Sequence, residues 1–517
     1  MHILMVAAEN GALPGVKVGG IGDVVRDVPK ALAKQGCKVD IVTPGYGLFS
    51  NPDQSKLTRR IAVTFAGSIE HVESFEAPAH DDVDGVRHWV MEHPLFTGNR
   101  PGQVYINDKS TAPFATDATK FALFSIAVCE ALREKVFGII DVIHLHDWHT
   151  ALILALRQYS PRYESLRKVR SVYTVHNLAL QGVRPFANDP SSLQSWFPNL
   201  KYDDRLLADP RWPECVNPMA VGIRLADMVH TVSPSYAQEI CRPSDIERNG
   251  VYGGEGLEND LQNKRDQGRL CGILNGCEYL NSHHPQVDWS ALHTAMKEQV
   301  GKWAADEEAP GSAHDTAEKR LNALTDNRPG FILTSVGRVT AQKLQLLRET
   351  TSNGHSALDG ILRHLSGKGI FILLGTGDPE YEQFLQQCAA RHNNFIFLSG
   401  YAENLSSMLY TNGDLFLMPS SYEPCGISQL LAMRAGQPCL VHHVGGLKDT
   451  VEEKISGFTF NGEYRKDQAD QLEATFERAF KQFNQHPEKW RKLRDSTKAQ
   501  RFTWDKTVQA YLMQLYV

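Results

Sequence analysis

The stretch "LFLMPSSYEPCGISQLLAMRAG", residues 415–436, sets Glu423, Pro424, Cys425 and Gly426 between an apolar run and a helical pattern. A carboxylate there, just ahead of several unpaired backbone amides, can simply favour a helix predicted to begin near Gly426, an effect of about 0.3–1 kcal/mol. Upstream, "SVGRVTAQK" places Arg338 and Lys343 in the loop after an apolar run. Two fixed cations can neutralise a diphosphate, Arg through its fork and Lys as a compact charge; solvated surface cations account for the same pair. Near the N-terminus, "AENGALPGVKVGGIGDVV" combines glycines 15, 19, 20 and 22 with Lys17. Glycines let backbone amides approach an anion, and a helix starting near Gly22 adds its positive dipole end. That suits a phosphate or a charged leaving group, with a flexible turn and a solvated lysine as the plain alternative. The segment does not fit G-x-G-x-x-G, which argues against a dinucleotide oxidoreductase.

"VIHLHDWHT" gathers His144, His146, Asp147 and His149. On a strand His144 and His146 share a face, whereas Asp147 and His149 lie past its end, a poor arrangement for a metal, and none is assigned. Asp147 and His149 suit hydrogen bonding to sugar hydroxyls, and His144 and His146 read as a satisfied, half-buried pair. "TVHNLALQG" puts His176 and Asn177 at a second strand mouth, where capping of the next turn is the alternative.

The elements that must position these residues are short apolar runs alternating with helical patterns, the mark of strands buried on both faces of parallel sheets. "HILMVAA", "KVDIVTP", "DVIHLHD", "RSVYTVH" and "DMVHTVS" fill the first half; "FILTSVG", "GIFILLG", "NFIFLSG", "DLFLMPS" and "PCLVHHV" fill the second. The fold class is therefore α/β, two doubly wound units, with ligands at the carboxyl ends of the strands. We expect a first domain over 1–275, a linker and hinge over 276–327, a second domain over 328–497 and a terminal helix over 498–517. The polar, Ala-rich stretch from residue 281 lacks strand runs, and "NPDQSKLTRR" reads as a surface excursion. The amphipathic end "WDKTVQAYLMQLYV" either crosses back to the first domain or packs where it is.

A formal net charge of -6 leaves no basic excess for a nucleic acid partner. Nine cysteines without a C-x-x-C pair read as reduced thiols of a cytoplasmic protein, without disulfides or structural zinc. The first strand begins at once with no basic leader, and no apolar run reaches the roughly eighteen residues of a membrane span, so no membrane partner is expected.

Taken in order, "KVGGIGDVV", "HLHDWHTALI", "TVHNLALQG", "VSPSYAQEI", "GEGL", "GILNGC", "GRVTAQK", "GTGDPEYE", "PSSYEPCGISQL", "GGLKDTV" and "FTWDKTVQAYL" resemble the glycogen and starch synthases over nearly the whole chain. These are retaining glucosyltransferases of GT-B architecture, two facing Rossmann-like domains with a deep interdomain cleft. The resemblance implies an ADP-glucose donor, an α-1,4-glucan acceptor extended at its non-reducing end, and no cofactor. It places Lys17, Gly19 and Gly20 at the donor phosphates, with Asp23 holding their loop. Arg338 and Lys343 match the diphosphate pair, and Glu423, Cys425 and Gly426 match the segment against the donor glucose, with Pro424 stiffening the turn. His176, Asn177 and Asn275 match contacts to the transferred glucose, Tyr401 joins the donor set, and Tyr105, Asp147 and His149 fall on the acceptor side. His176, Arg338, Lys343 and Glu423 carry the catalytic roles.

The chain departs from the family pattern at Leu344, where glycine is usual, at Ser421 for arginine, at Cys277 and Glu278 after Asn-Gly, and at Ala220 for lysine. These departures leave UDP-glucose open as donor. Other readings are a sucrose- or trehalose-forming enzyme of the same architecture and a non-catalytic glucan-binding protein.

Overall fold

A computed structural model describes residues 1–49, 56–247, 249–279, 288–305, 313–325 and 327–517. The chain forms two compact units. The first comprises Met1–Pro243, Gly253–Asn275 and Trp504–Val517, and the second Ser244–Tyr252 and Gly276–Thr503.

The first unit holds a nine-stranded sheet in the order Leu270–Gly272, Met228–Thr231, Arg170–Val175, Val142–His146, His2–Val6, Lys38–Pro44, Val86–Glu92, Ser68–Ala77 and Lys56–Phe65. The strands from Leu270–Gly272 to Val86–Glu92 run parallel, and the last two add an antiparallel hairpin. Ile3 to Val6 and all of Val142–His146 are buried, as continuous apolar runs covered on both faces require. Strand order reverses at His2–Val6, so the loop after it emerges beside the loop after Val142–His146, the topological switch point where α/β sheets take ligands. The helix Trp504–Gln514 belongs to this unit: Trp504, Val508 and Tyr511 pack with Val24 and Val28 of helix Gly20–Lys34.

The second unit holds a six-stranded parallel sheet in the order Phe395–Ser399, Ile370–Gly375, Ile332–Val336, Leu415–Met418, Cys439–His442 and Gly457–Phe460. Its switch point lies between Ile332–Val336 and Leu415–Met418, and the loops leaving those strands carry Arg338 and Glu423.

The segment expected as a linker does more than connect. Helices Trp289–Ala305 and Ala313–Ala323 bury Trp289, Leu292, Met296, Val300, Ala317 and Leu321 against the strand residues Ile332, Ile370 and Ile396. A narrow apolar stripe at spacings of three and four is enough to cover one sheet face, and an Ala-rich polar composition conceals it. Residues 280–287, 306–312 and 326 of that segment lie outside the described residues, as do 51–55 of the surface excursion expected over 51–60; its remainder, 56–60, is not an excursion but the start of the strand Lys56–Phe65, paired with Ser68–Ala77. Among the described residues no helix is long and apolar enough to cross a membrane.

Candidate active site

In the first unit the strand His2–Val6 leads to Glu9, which is 2% exposed. A carboxylate buried that deeply needs donors. Its Oε2 accepts the backbone N–H of Val18, at 2.9 Å, and of Gly19, and its Oε1 accepts the Tyr105 hydroxyl at 2.7 Å. The Gly19 amide, expected to approach an anion, is thus held by Glu9. Lys17 is likewise partnered, its Nζ 2.7 Å from Asp23 Oδ1, and Arg26 reaches the same oxygen at 3.0 Å. The helix begins at Gly20, not Gly22, with Gly19 as its N-cap.

At the end of Val142–His146, Asp147 adopts φ 56° and ψ −178°, a left-handed conformation that costs a non-glycine residue strain. Its Oδ1 accepts the His176 backbone N–H at 2.7 Å, tying two strand mouths together. Burial pushes the Asp147 carboxyl up to about 7; the amides of His176 and Asn177 oppose this and the Glu9 charge reinforces it. His149 is buried against the rings of Phe121, at 4.7 Å, and Tyr105, at 5.3 Å, and burial holds its imidazole neutral. Asn177 caps its own turn through Oδ1, which accepts the Ala179 amide at 2.9 Å. Asn275 is buried with its Oδ1 unpartnered among the described residues.

His144 and His146 are fully buried, not half-buried, and their rings stack at 4.5 Å. His146 Nδ1 lies 2.9 Å from His176 Nε2. Among the described residues no group of three or more His, Cys, Asp or Glu side chains is arranged to hold a metal ion.

In the second unit Lys343 stands in the first turn of helix Ala341–Arg348 and donates to Glu423 Oε2, which also accepts the Ser420 hydroxyl at 3.0 Å. Glu423 therefore acts through an ion pair, not as a helix-start charge, and the following helix begins at Ser428. Gln342 clamps the same turn: its Nε2 donates to the Tyr422 carbonyl at 3.0 Å and its carbonyl accepts the Ser421 amide at 2.8 Å. Gly446 donates to the Glu423 carbonyl at 2.9 Å, and Gly426 takes φ 80°, which admits glycine readily. Cys425 is buried beneath this turn. Arg338 is exposed and makes no ion pair among the described residues. Ser335, Gly337, Arg338, Lys343, Met418 and Ser420 line a recess at these strand ends. Tyr401 is 66% exposed, and the Gly400 before it lies flat against the Trp303 indole, so close that a Cβ would stand 2.6 Å from the ring.

The departures from the family pattern have local accounts. Leu344 is buried in the core with Leu347, and Ala220 is fully buried in helix Pro218–Leu225. Ser421 is buried with its hydroxyl unpartnered among the described residues, Cys277 is buried, and the Glu278 carbonyl accepts an N–H of the Arg434 guanidinium. Glu9, Gln342 and Ser420 were not singled out from sequence. Glu9 was accessible to the same rule that found Asp147, an acid immediately after an apolar strand; the other two carry no such signal.

Residues 2–263 match the starch synthase catalytic domain, and residues 333–478 match the group 1 glycosyl transferases. A glycogen synthase from Streptococcus equi subsp. equi is 31% identical over 99% of this chain and 98% of its own length. One from Streptococcus agalactiae serotype Ia is 31% identical over 100% and 99%. The catalytic domain of Arabidopsis thaliana starch synthase IV, solved bound to ADP and acarbose, superposes with a TM-score of 0.74 at 27% identity, covering 100% of this chain and 98% of that one. Sucrose-phosphate synthase from Thermosynechococcus elongatus shares the fold, with a TM-score of 0.55 at 17% identity over 99% and 98%. With the starch synthase domain spanning half the chain and glycogen synthases matching it end to end, the chain belongs to the glycogen and starch synthase family, hexosyltransferases of GT-B fold.

Proposed function

We propose that the protein is a glycogen synthase that transfers glucose from ADP-glucose to the non-reducing end of an α-1,4-glucan with retention of configuration. The observation that carries this reading is the Lys343–Glu423 pair beside Arg338 at the carboxyl ends of two adjacent parallel strands, in a chain related end to end to glycogen synthases. ADP as the nucleotide is supported by the ADP-bound starch synthase that superposes on the chain.

In the proposed reaction the bond between the glucose anomeric carbon and the diphosphate oxygen breaks, leaving positive charge on the sugar and negative charge on the departing ADP. Arg338 and Lys343 stabilise that negative charge. Lys343 spends one ammonium donor on Glu423 and keeps two for phosphate oxygens. Lys17 and Gly20 serve the donor phosphates, with Asp23 setting the lysine's direction and the Gly19 amide, held by Glu9, fixing the course of the loop. Glu423, Cys425 and Gly426 lie along the transferred glucose, which His176, Asn177 and Asn275 also contact; Tyr401 belongs to the donor contacts. Tyr105, Asp147 and His149 hold the acceptor, whose attacking hydroxyl passes its proton to the leaving phosphate on the same face. Nine cysteines, none in a disulfide among the described residues, support work in a reducing compartment, the cytoplasm.

The test is to supply ADP-glucose and UDP-glucose separately with glycogen and measure nucleoside diphosphate released and glucan lengthened. ADP release with chain growth, faster than any UDP release, is expected. Transfer to fructose 6-phosphate or glucose 6-phosphate in place of glycogen would move the protein to a sucrose- or trehalose-forming class, and glucan binding with no diphosphate release would make it a binding protein.

A further inference from the structure

Behind His176 the first unit buries three more imidazoles, His144, His146 and His230, in a connected set whose protons can be counted. His230 Nε2 lies 3.4 Å from the Ile273 carbonyl, which can only accept, so Nε2 carries the proton and Nδ1 is an acceptor. Thr174 Oγ1, at 2.9 Å, must then donate to His230 Nδ1. That leaves the hydroxyl oxygen to accept from His144 Nε2 at 2.6 Å. His144 Nδ1 is consequently an acceptor and takes the Tyr516 hydroxyl proton at 2.8 Å. Every donor in this branch has one acceptor, and His144 is pinned at both nitrogens.

His146 stacks on that pinned ring, 4.5 Å between centroids and 20° between planes, which fixes its plane and the direction of its Nδ1. Nδ1 meets His176 Nε2 at 2.9 Å, and Nε2 is buried with no partner among the described residues. Two proton arrangements are available. If His176 donated, His146 would carry its proton on Nε2, a buried N–H with nothing to receive it. If His146 donates, the unpartnered atom is a bare lone pair, the less costly of the two. Burial keeps all four rings neutral, so no charged form complicates the count.

We propose that His146 is a positioning residue that donates Nδ1–H to His176 Nε2 and thereby fixes His176 as the Nδ1–H tautomer, a neutral hydrogen-bond donor to an oxygen of the transferred sugar. The proposal rests on the reading of His176 as a contact to that sugar. It assigns the His144–Thr174–His230 branch and Tyr516 the task of holding the imidazole that sets the tautomer. A general base at His176 is incompatible with it, because the only nitrogen left for substrate carries a proton. His146 touches no substrate; it acts through His176 alone.

The test uses the intact protein labelled with ¹⁵N-histidine, where the two ring nitrogens of a neutral imidazole report which one is protonated, together with the kinetics of His146→Leu, His146→Asn and His176→Ala. His176 should show the Nδ1–H pattern. His146→Leu should lower kcat roughly 10- to 100-fold with donor KM little changed, as loss of orientation does. His146→Asn, whose amide N–H can stand near the Nδ1 position, should recover most of kcat. An Nε2–H pattern at His176 in the unaltered protein overturns the proposal without depending on any variant's folding. So does wild-type kcat in His146→Leu while His176→Ala is inactive. Retained turnover in His176→Ala instead removes the reading beneath it, and that failure is distinguishable because it appears with His146 intact.

Discussion

Lys343 and Glu423, 80 residues apart in sequence, form an ion pair in which the acid is nearly buried and the lysine about one-fifth exposed. Their expected tasks are separate, one toward phosphate and one toward sugar; the pairing makes each the other's orienting group. Lys343→Ala should lower kcat on the order of 10²–10³-fold, as loss of a charge-stabilising donor does. It should also destabilise the second unit by about 3 kcal/mol, because Glu423 is left as an uncompensated buried charge. The double variant Lys343→Met, Glu423→Gln should recover most of that stability in urea denaturation and none of the turnover. A double variant no more stable than Lys343→Ala would show that the pair does not orient the turn.

Gly446 holds that turn from the other side. A Cβ on it would stand 2.3 Å from the Cys425 carbonyl oxygen and 2.4 Å from its Cα, backbone atoms that cannot swing away. Gly446→Ala should therefore displace the Glu423–Gly426 turn, and a shift near 1 Å corresponds to roughly 10²-fold in kcat. Gly301→Ala is the control: it lies exposed in helix Trp289–Ala305 with nothing among the described residues within 4 Å of the new methyl. It should leave turnover unchanged and stabilise the helix by roughly 0.5–1 kcal/mol. Equal kinetics for the two variants would count against a rigid turn.

The central strands of both sheets were legible because they are buried on both faces and read as unbroken apolar runs. The hairpin Lys56–Phe65 and Ser68–Ala77 was not: it keeps one face in water, so "KLTRRIAVTF" and "SIEHVESFEA" interleave charges with apolar residues. Arg338, Lys343, Glu423 and Asp147 could be found because ligands collect where parallel strands end. Their partners could not. Which acid meets Lys343 follows from strand order in the sheet, which leaves no local mark in a sequence, and which amides Glu9 holds follows from the path of the loop between residues 9 and 19. His146 was misjudged for a related reason: two histidines on one strand face say nothing of a third ring arriving from the next strand.

Leu344 shows why a departure from the family pattern can be structural. The side chain is 4% exposed and packs in the core cluster with Val339 and Leu347, so it anchors the helix Ala341–Arg348. Leu344→Ala should destabilise the second unit by about 2–5 kcal/mol in chemical denaturation. Because the same helix carries Lys343, kcat should fall while the variant remains folded at low temperature. A loss below about 1 kcal/mol would mean that the neighbouring side chains collapse into the space left behind.

Asp147 gives the first unit a pH dependence whose sign is determined by burial. Its carboxyl is raised from the ordinary 3.8 to about 7, so the folded protein binds a proton that the unfolded chain releases. The resulting stability is fully present below 3.8 and is lost as pH rises through about 7, at up to roughly 1.4 kcal/mol per pH unit inside that window. Asp147→Asn cannot titrate, and asparagine matches the aspartate it replaces in size and shape, so the strained backbone at this position is altered least. The stability of the natural protein minus that of Asp147→Asn, measured by urea denaturation from pH 5 to 7.5, should therefore fall steadily. A difference that stays flat or rises across the window would mean that the His176 and Asn177 amides outweigh burial and hold the carboxylate ionised throughout.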